Sequence, residues 1–164
     1  MPDSIDHCVP VLPSRFAWLM GLYGENYHRL IHLFAPQRLA AGSYVSSVDD
    51  HLDVQLDVIQ HHRYTLDLRL TYRFLDDVTG HLSPLAHLRM YCDAHLAEVV
   101  HFHVDHRLPP GIGPIPLART AFQRRVRMNS FLNRWLEYLA EQGHSIGTLQ
   151  RCADAAPIPA HVSV

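Results

Sequence analysis

The sequence predicts an α+β domain in which an antiparallel sheet of about five strands carries an N-terminal and a C-terminal helix on one face. Two segments with helical periodicity enclose a central series of alternating apolar and polar residues. Apolar residues that recur every three or four positions are typical of amphipathic helices, whereas strict alternation is typical of half-buried strands. Because the connections between the alternating segments are short, neighbouring strands are expected to be antiparallel, with one face towards solvent.

The first helix is predicted to begin after Ser14, whose hydroxyl can accept a hydrogen bond from a free amide of the first turn. It is predicted to end before Pro36, which cannot continue a helix. Its apolar stripe consists of Phe16, Leu19, Met20, Tyr23, Tyr27, Leu30, Ile31 and Phe34.

Alternating segments then predict the strands of the sheet. They run from Ser43 to Val48, Leu52 to Val58, Tyr64 to Phe74, Leu88 to Cys92 and Leu96 to Val104. The last two are separated by Asp93-Ala94-His95, and aspartate favours a turn because its carboxylate can bond nearby backbone.

The second helix is predicted from Arg119 to Gln142, with Gly143 ending it. Residues 144–164 are expected to be a loose tail, and residues 1–13, which contain three prolines, an irregular arm. Residues 14–143 are therefore predicted to form a single α+β domain.

The composition limits the classes of function. The formal net charge is −2, which does not favour nucleic acid as a partner, and 14 histidines accompany 14 basic residues that are all arginine. No apolar run reaches the roughly 18 residues of a membrane span, and the N-terminus does not have the pattern of a signal peptide. The three cysteines form no CxxC motif. A cytoplasmic protein without a membrane partner is expected.

Three segments resemble motifs of one bacterial family. Residues 89–99, RMYCDAHLAEV, are similar to the R-x-Y-H-D-A-x-x-A-E-V signature of the YqiB-like family. Asn26-Tyr27 with Leu30 and Leu33 is similar to its N-[FY]-x-x-L-x-x-L helix, and residues 129–136 to its N-x-F-L-x-x-W-L segment. This resemblance covers most of the chain and implies a domain of unknown function.

Two positions depart from the family pattern. Cys92 stands where the family usually has histidine, and Arg124-Arg125 replace a Glu-Lys pair. No role of that histidine or of those charges is carried over to this chain.

The polar residues of the signature form the candidate ligand site. Arg89, Tyr91 and Asp93 share one face of the predicted strand, and Glu98 follows in the next strand. Arginine offers a fork of donors that a carboxylate can orient, so a small anionic ligand is the expected partner, with Arg107 as a further contact. The alternative is a cross-strand charge ladder in which Asp93 serves its own turn.

Asn129 lies on the apolar stripe of the second helix, where an inward amide needs hydrogen-bond partners. Although it is a ligand candidate, a structural role is favoured, in which it fastens this helix to the turn at Asp93. The arginines of the same helix, at positions 119, 124, 125, 127 and 134, are interpreted mainly as a solvated face.

His101, His103, Asp105 and His106 form an H-x-H-x-D-H pattern, which also occurs in metal-dependent hydrolases. On a strand, however, His106 would point away from the other three. The chain is also short for such an enzyme.

The favoured interpretation is a non-enzymatic module that binds a small ligand or has a regulatory role, without a cofactor. The alternatives are a hydrolase with zinc at the histidine segment and a homodimeric protein-interaction module.

Overall fold

The computed structural model describes residues 14–74, 78, 80–103 and 120–153. Its long helices are α1 (Arg15–Phe34) and α2 (Ala121–Glu141), and its strands are β1 (Gly42–Ser46), β2 (Val54–His61), β3 (Thr65–Tyr72), β4 (Leu85–Tyr91), β5 (Leu96–His103) and β6 (Leu149–Arg151). Short 3-10 helices cover Pro36–Arg38 and Ile146–Thr148. The strands form one antiparallel sheet in the order β5-β4-β3-β2-β1-β6. The predicted α+β class is confirmed, with six strands where about five were expected.

Both long helices begin at side-chain caps. The Ser14 hydroxyl accepts a hydrogen bond from the Ala17 amide at 3.1 Å. At the start of α2, Thr120 and Gln123 form a capping box, in which each side chain accepts from the other residue's backbone amide. These caps satisfy amides that have no partner inside the helix, which explains why the helices begin where they do.

The apolar core lies between one face of the sheet and the two helices. Trp135 of α2 packs against Tyr72 of β3 with ring centres 5.3 Å apart, and Phe131 packs against Phe102 of β5 at 4.5 Å. Helix α1 supplies Leu30 and other buried side chains to the same core. Aromatic packing of this kind combines a large buried area with a favourable ring geometry.

The opposite face of the sheet differs from the expectation that it is solvated, because its centre is buried. Asp57 and Arg69 face each other across β2 and β3, and each is only 5% exposed. Arg69 Nη2 lies 2.7 Å from Asp57 Oδ2, and Gln55 Nε2 donates to Asp57 Oδ1 at 2.8 Å. Buried charges are tolerated when they are paired and hydrogen-bonded in this way.

Residues 146–151 are ordered against β1, whereas the pattern assigned them to a loose tail. The β1 side chain of Ser46 bonds His144 Nδ1 at 2.7 Å and Thr148 Oγ1 at 2.6 Å. These bonds hold the chain beyond α2 against the sheet, where β6 pairs with β1. In the described part of the chain, no helix is long and apolar enough to cross a membrane.

Candidate functional site

The candidate site lies at the end of the β4–β5 hairpin. Along β4, Met90 points into the core, so Arg89 and Tyr91 project from the opposite face. The register places Glu98 of β5 directly opposite Arg89. The strand alternation and this register therefore bring three of the predicted residues together on one surface.

Glu98 is the centre of this surface. Its Oε1 accepts a hydrogen bond from the Tyr91 hydroxyl at 2.7 Å, and its Oε2 accepts from Arg125 Nη1 of α2 at 3.2 Å. Burial and the adjacent Glu98 carboxylate raise the pKa of Tyr91, with Arg89 acting in the opposite sense. The Tyr91 hydroxyl thus stays protonated at neutral pH and acts as a donor.

Tyr23 brings α1 to the same place. Its ring is buried in the core, and its hydroxyl lies in the fields of Arg125 and Glu98. Burial raises the pKa of Tyr23, and although Arg125 opposes this rise, Glu98 adds to it. Four elements, α1, β4, β5 and α2, therefore converge on one polar cluster, which we define as Tyr23, Arg89, Tyr91, Glu98 and Arg125.

Arg89 is held from the other side by Asp67 of β3. Arg89 Nε donates to Asp67 Oδ1 at 2.8 Å. Burial alone would raise the pKa of Asp67, but the hydrogen bonds from Arg89 and His62 outweigh it and lower that pKa. The Asp67 carboxylate is therefore ionised at neutral pH and orients the guanidinium of Arg89.

Two other predicted ligand residues are not placed in this cluster. Strand β4 ends at Tyr91, so Asp93 lies in the turn rather than on the strand face, where its exposed carboxylate accepts from the Ala94 amide at 2.9 Å. The turn is completed by His95, which has a φ of 55° and stacks on Tyr27 of α1. Arg107 lies outside the described residues.

Asn129 fastens α2 to β5 itself rather than to the turn. Its Oδ1 accepts from the Val99 amide at 3.0 Å, and its Nδ2 donates to the Arg125 carbonyl at 2.8 Å. Asn26 of α1 donates to the Asn129 carbonyl at 3.2 Å and accepts from Asn133 at 3.1 Å. Asn26 and Asn129 are fully buried. Because Asn129 bonds both β5 and the Arg125 backbone, the network holds Arg125 beside Glu98.

Of the predicted metal-binding residues, His101 and His103 are exposed on β5, whereas Asp105 and His106 lie outside the described residues. Where the structure describes the chain, no group of three or more histidine, cysteine, aspartate or glutamate side chains has an arrangement that could hold a metal ion. His101 instead lies opposite His87 of β4.

Comparison with known proteins identifies the family of this chain. A family model described as "Protein of unknown function (DUF1249)" matches residues 29–145. The chain belongs to the DUF1249 family. No curated protein and no solved structure matches it significantly. The matched residues include the β4–β5 hairpin and α2, and they leave out Tyr23, which lies earlier in α1.

The DUF1249 chain also has a groove between its two long helices that sequence reasoning missed. This cavity has a volume of about 540 Å³, with Leu33 and Leu136 in its floor and Glu25, His28 and Arg29 at its rim. Arg29 is paired with Glu25 at 3.1 Å, so the charges at the rim largely offset each other.

Sequence reasoning also missed the roles of Tyr23, Asp67 and Arg125. Tyr23 was part of a regular apolar stripe, and Arg125 was part of an arginine-rich helix face. The only available signal was Asp67, a carboxylate on the polar side of a clear strand. Its contact with Arg89 depends on the pairing of β3 with β4, which no local pattern encodes.

Proposed function

We propose that this DUF1249 protein is a non-enzymatic binding or regulatory module that binds a small anion at the polar cluster. The observation that supports this function is the pair of partly exposed guanidinium groups on either side of the Tyr91–Glu98 hydrogen bond. The Arg89 side chain is 43% exposed and that of Arg125 is 57% exposed.

Each guanidinium contacts its acid with only part of its donor fork. Arg89 holds Asp67 through Nε, and Arg125 holds Glu98 through Nη1. An arginine has five N–H donors in a planar arrangement, so each side chain retains donors that can bind a carboxylate or a phosphate group. The two acids orient the arginines, which reduces the entropy lost when an anion binds.

A purely structural role is the main competing explanation. In that case Arg125–Glu98 and Arg89–Asp67 would only hold α2 and β3 against the hairpin. Ion pairs with this degree of exposure usually stabilise a fold by no more than about 1 kcal/mol. Loss of either arginine should consequently change anion binding much more than stability.

The test is isothermal titration calorimetry with inorganic phosphate and with citrate at constant ionic strength. We expect Arg89→Ala and Arg125→Ala to weaken binding by about tenfold or more, since each removes a charge-assisted contact of roughly 1.5–3 kcal/mol. Arg134→Ala, on the exposed face of the same helix as Arg125, is the matched control and should bind as the unmodified protein does. Equal weakening in all three variants, or no binding of either anion, would contradict the proposal.

We also propose that the protein is YqiB-like, bacterial and cytoplasmic. The hairpin motif and the α2 motif both lie within the residues matched by the DUF1249 model, which supports a YqiB-like protein of bacterial origin. The cysteine pattern supports a cytoplasmic location.

A further inference from the structure

Two histidines face each other across the β4–β5 hairpin, one row away from the polar cluster. The register pairs His87 with His101, and their ring centres are 6.4 Å apart with the ring planes at 84°. A bulge next to this pair leaves Val100 without a partner in β4, so that His101 and Glu98 both project from the polar face. The backbone of the hairpin therefore fixes the positions from which the two imidazoles project.

We propose that His87 and His101 form a two-histidine site for a divalent transition metal ion, Zn²⁺, Ni²⁺ or Cu²⁺, with water completing the coordination. Neutral imidazole is a ligand that suits these three ions. Since a metal–nitrogen bond measures about 2.0–2.1 Å, two imidazoles on one ion place their ring centres roughly 4.5–5.5 Å apart in tetrahedral or cis-octahedral coordination. The observed 6.4 Å is longer than this, and a rotation of the exposed His101 side chain brings the two rings to the required separation.

The charges around the pair limit how tightly a cation can bind. Arg69 lies beside His87 in the next strand, and Asp57, 2.7 Å from Arg69, offsets its charge only in part at His87. His103 lies two residues beyond His101 on the same strand face. The described residues supply no ready cage of three or more side chains, so the pair is expected to bind an exchangeable ion rather than a permanently held one.

The chain contains a matched control pair. His28 and His95 also have ring centres 6.4 Å apart, but they join α1 to the hairpin turn instead of two paired strands. The control variant combines His28→Ala with His95→Asn, because asparagine tolerates the positive φ at that position. It removes two imidazoles, whereas each variant of the proposed pair removes one, so an effect of histidine number alone would be larger in the control.

The experiment is calorimetric titration of the tag-free full chain with NiCl₂ and with ZnCl₂. We expect about one ion per chain and a loss of affinity of about tenfold or more in His87→Ala and in His101→Ala, since even partners of metal ligands contribute that much. The His28/His95 control should titrate like the unmodified protein. Because His101 is exposed, its variant keeps the test valid if His87→Ala does not fold.

Three outcomes would overturn the inference: no binding of either ion by the unmodified chain, full affinity in His101→Ala, or a loss of affinity in the control variant as large as in the variants of the proposed pair. The phosphate and citrate titrations depend on different residues, so this inference and the proposed function can fail separately.

Discussion

Replacing Asn129 with alanine is the sharpest test of how the two helices are joined to the sheet. The side chain is fully buried and satisfies the Val99 amide of β5, which points away from β4 and whose residue is only 3% exposed. Truncation leaves this donor buried without a partner and also removes the bond to the Arg125 carbonyl. Asn129→Ala is therefore expected to destabilise the protein substantially.

The size of the effect follows mainly from the two shorter bonds that are lost, because the third, from Asn26 Nδ2 at 3.5 Å, is weak. A buried donor without a partner costs about 1–3 kcal/mol, and the second bond contributes roughly 0.5–1.5 kcal/mol. The expected loss is about 3 kcal/mol in the free energy of unfolding. For a chain of this size, that loss corresponds to a decrease in Tm of roughly 6–12 °C.

Urea unfolding followed by circular dichroism measures the loss directly, with an unchanged m-value as evidence that the same transition is observed. Arg134→Ala is the control, because it truncates an exposed side chain of the same helix and should cost no more than about 0.5 kcal/mol. If Asn129→Ala costs no more than this control, the Val99 bond does not have the stabilising role assigned to it.

Three further predictions concern other parts of the fold. Thr120→Ala removes the cap of α2 and should cost about 1 kcal/mol in thermal unfolding, and an unchanged Tm would contradict the capping role. Arg69→Met leaves the Asp57 carboxylate buried and should cost about 3–5 kcal/mol, part of which the double variant with Asp57→Leu should recover; a double variant no more stable than the single one would refute this. Burial, with a smaller contribution from His51, lowers the pKa of His144. As the pH decreases, His144 therefore binds a proton in the unfolded chain at a higher pH than in the folded protein. Stability should be greatest above about pH 6.5 and fall as the pH decreases towards the folded-state pKa. His144→Gln should flatten this dependence in urea unfolding measured from about pH 7.5 to about pH 5, a range that spans the ordinary histidine pKa. An unchanged slope would show that other groups cause the pH dependence.

Local patterns were sufficient for the regular elements. The stripe that begins after Ser14 and ends before Pro36 matches α1 closely, because capping and proline chemistry act within a few residues. The strand of Arg89 and Tyr91 was also recognisable, since alternation alone determines which side chains share a face.

The remaining features depend on contacts between distant segments. Strand β6 has only three residues, too few for a periodic pattern, and the hydrogen bonds of Ser46 with His144 and Thr148 span about 100 positions of sequence. Glu98 was a candidate from sequence, but its partner Arg125 lies on another element, 27 positions away. Asp93 was assigned both to the strand face and to the turn, because alternation does not show where a strand ends and its turn begins.

The amide of Val99 also affects how this protein meets other chains. Strand β5 forms one edge of the described sheet, and an edge strand exposes donors and acceptors that can pair with a strand of a second molecule. Asn129 occupies one of these donors, and α2 lies against the same edge. The other edge, β6, is only three residues long. One edge of the sheet is thus covered by a helix, and the other is a very short strand. Both are ways in which natural proteins avoid edge-to-edge aggregation.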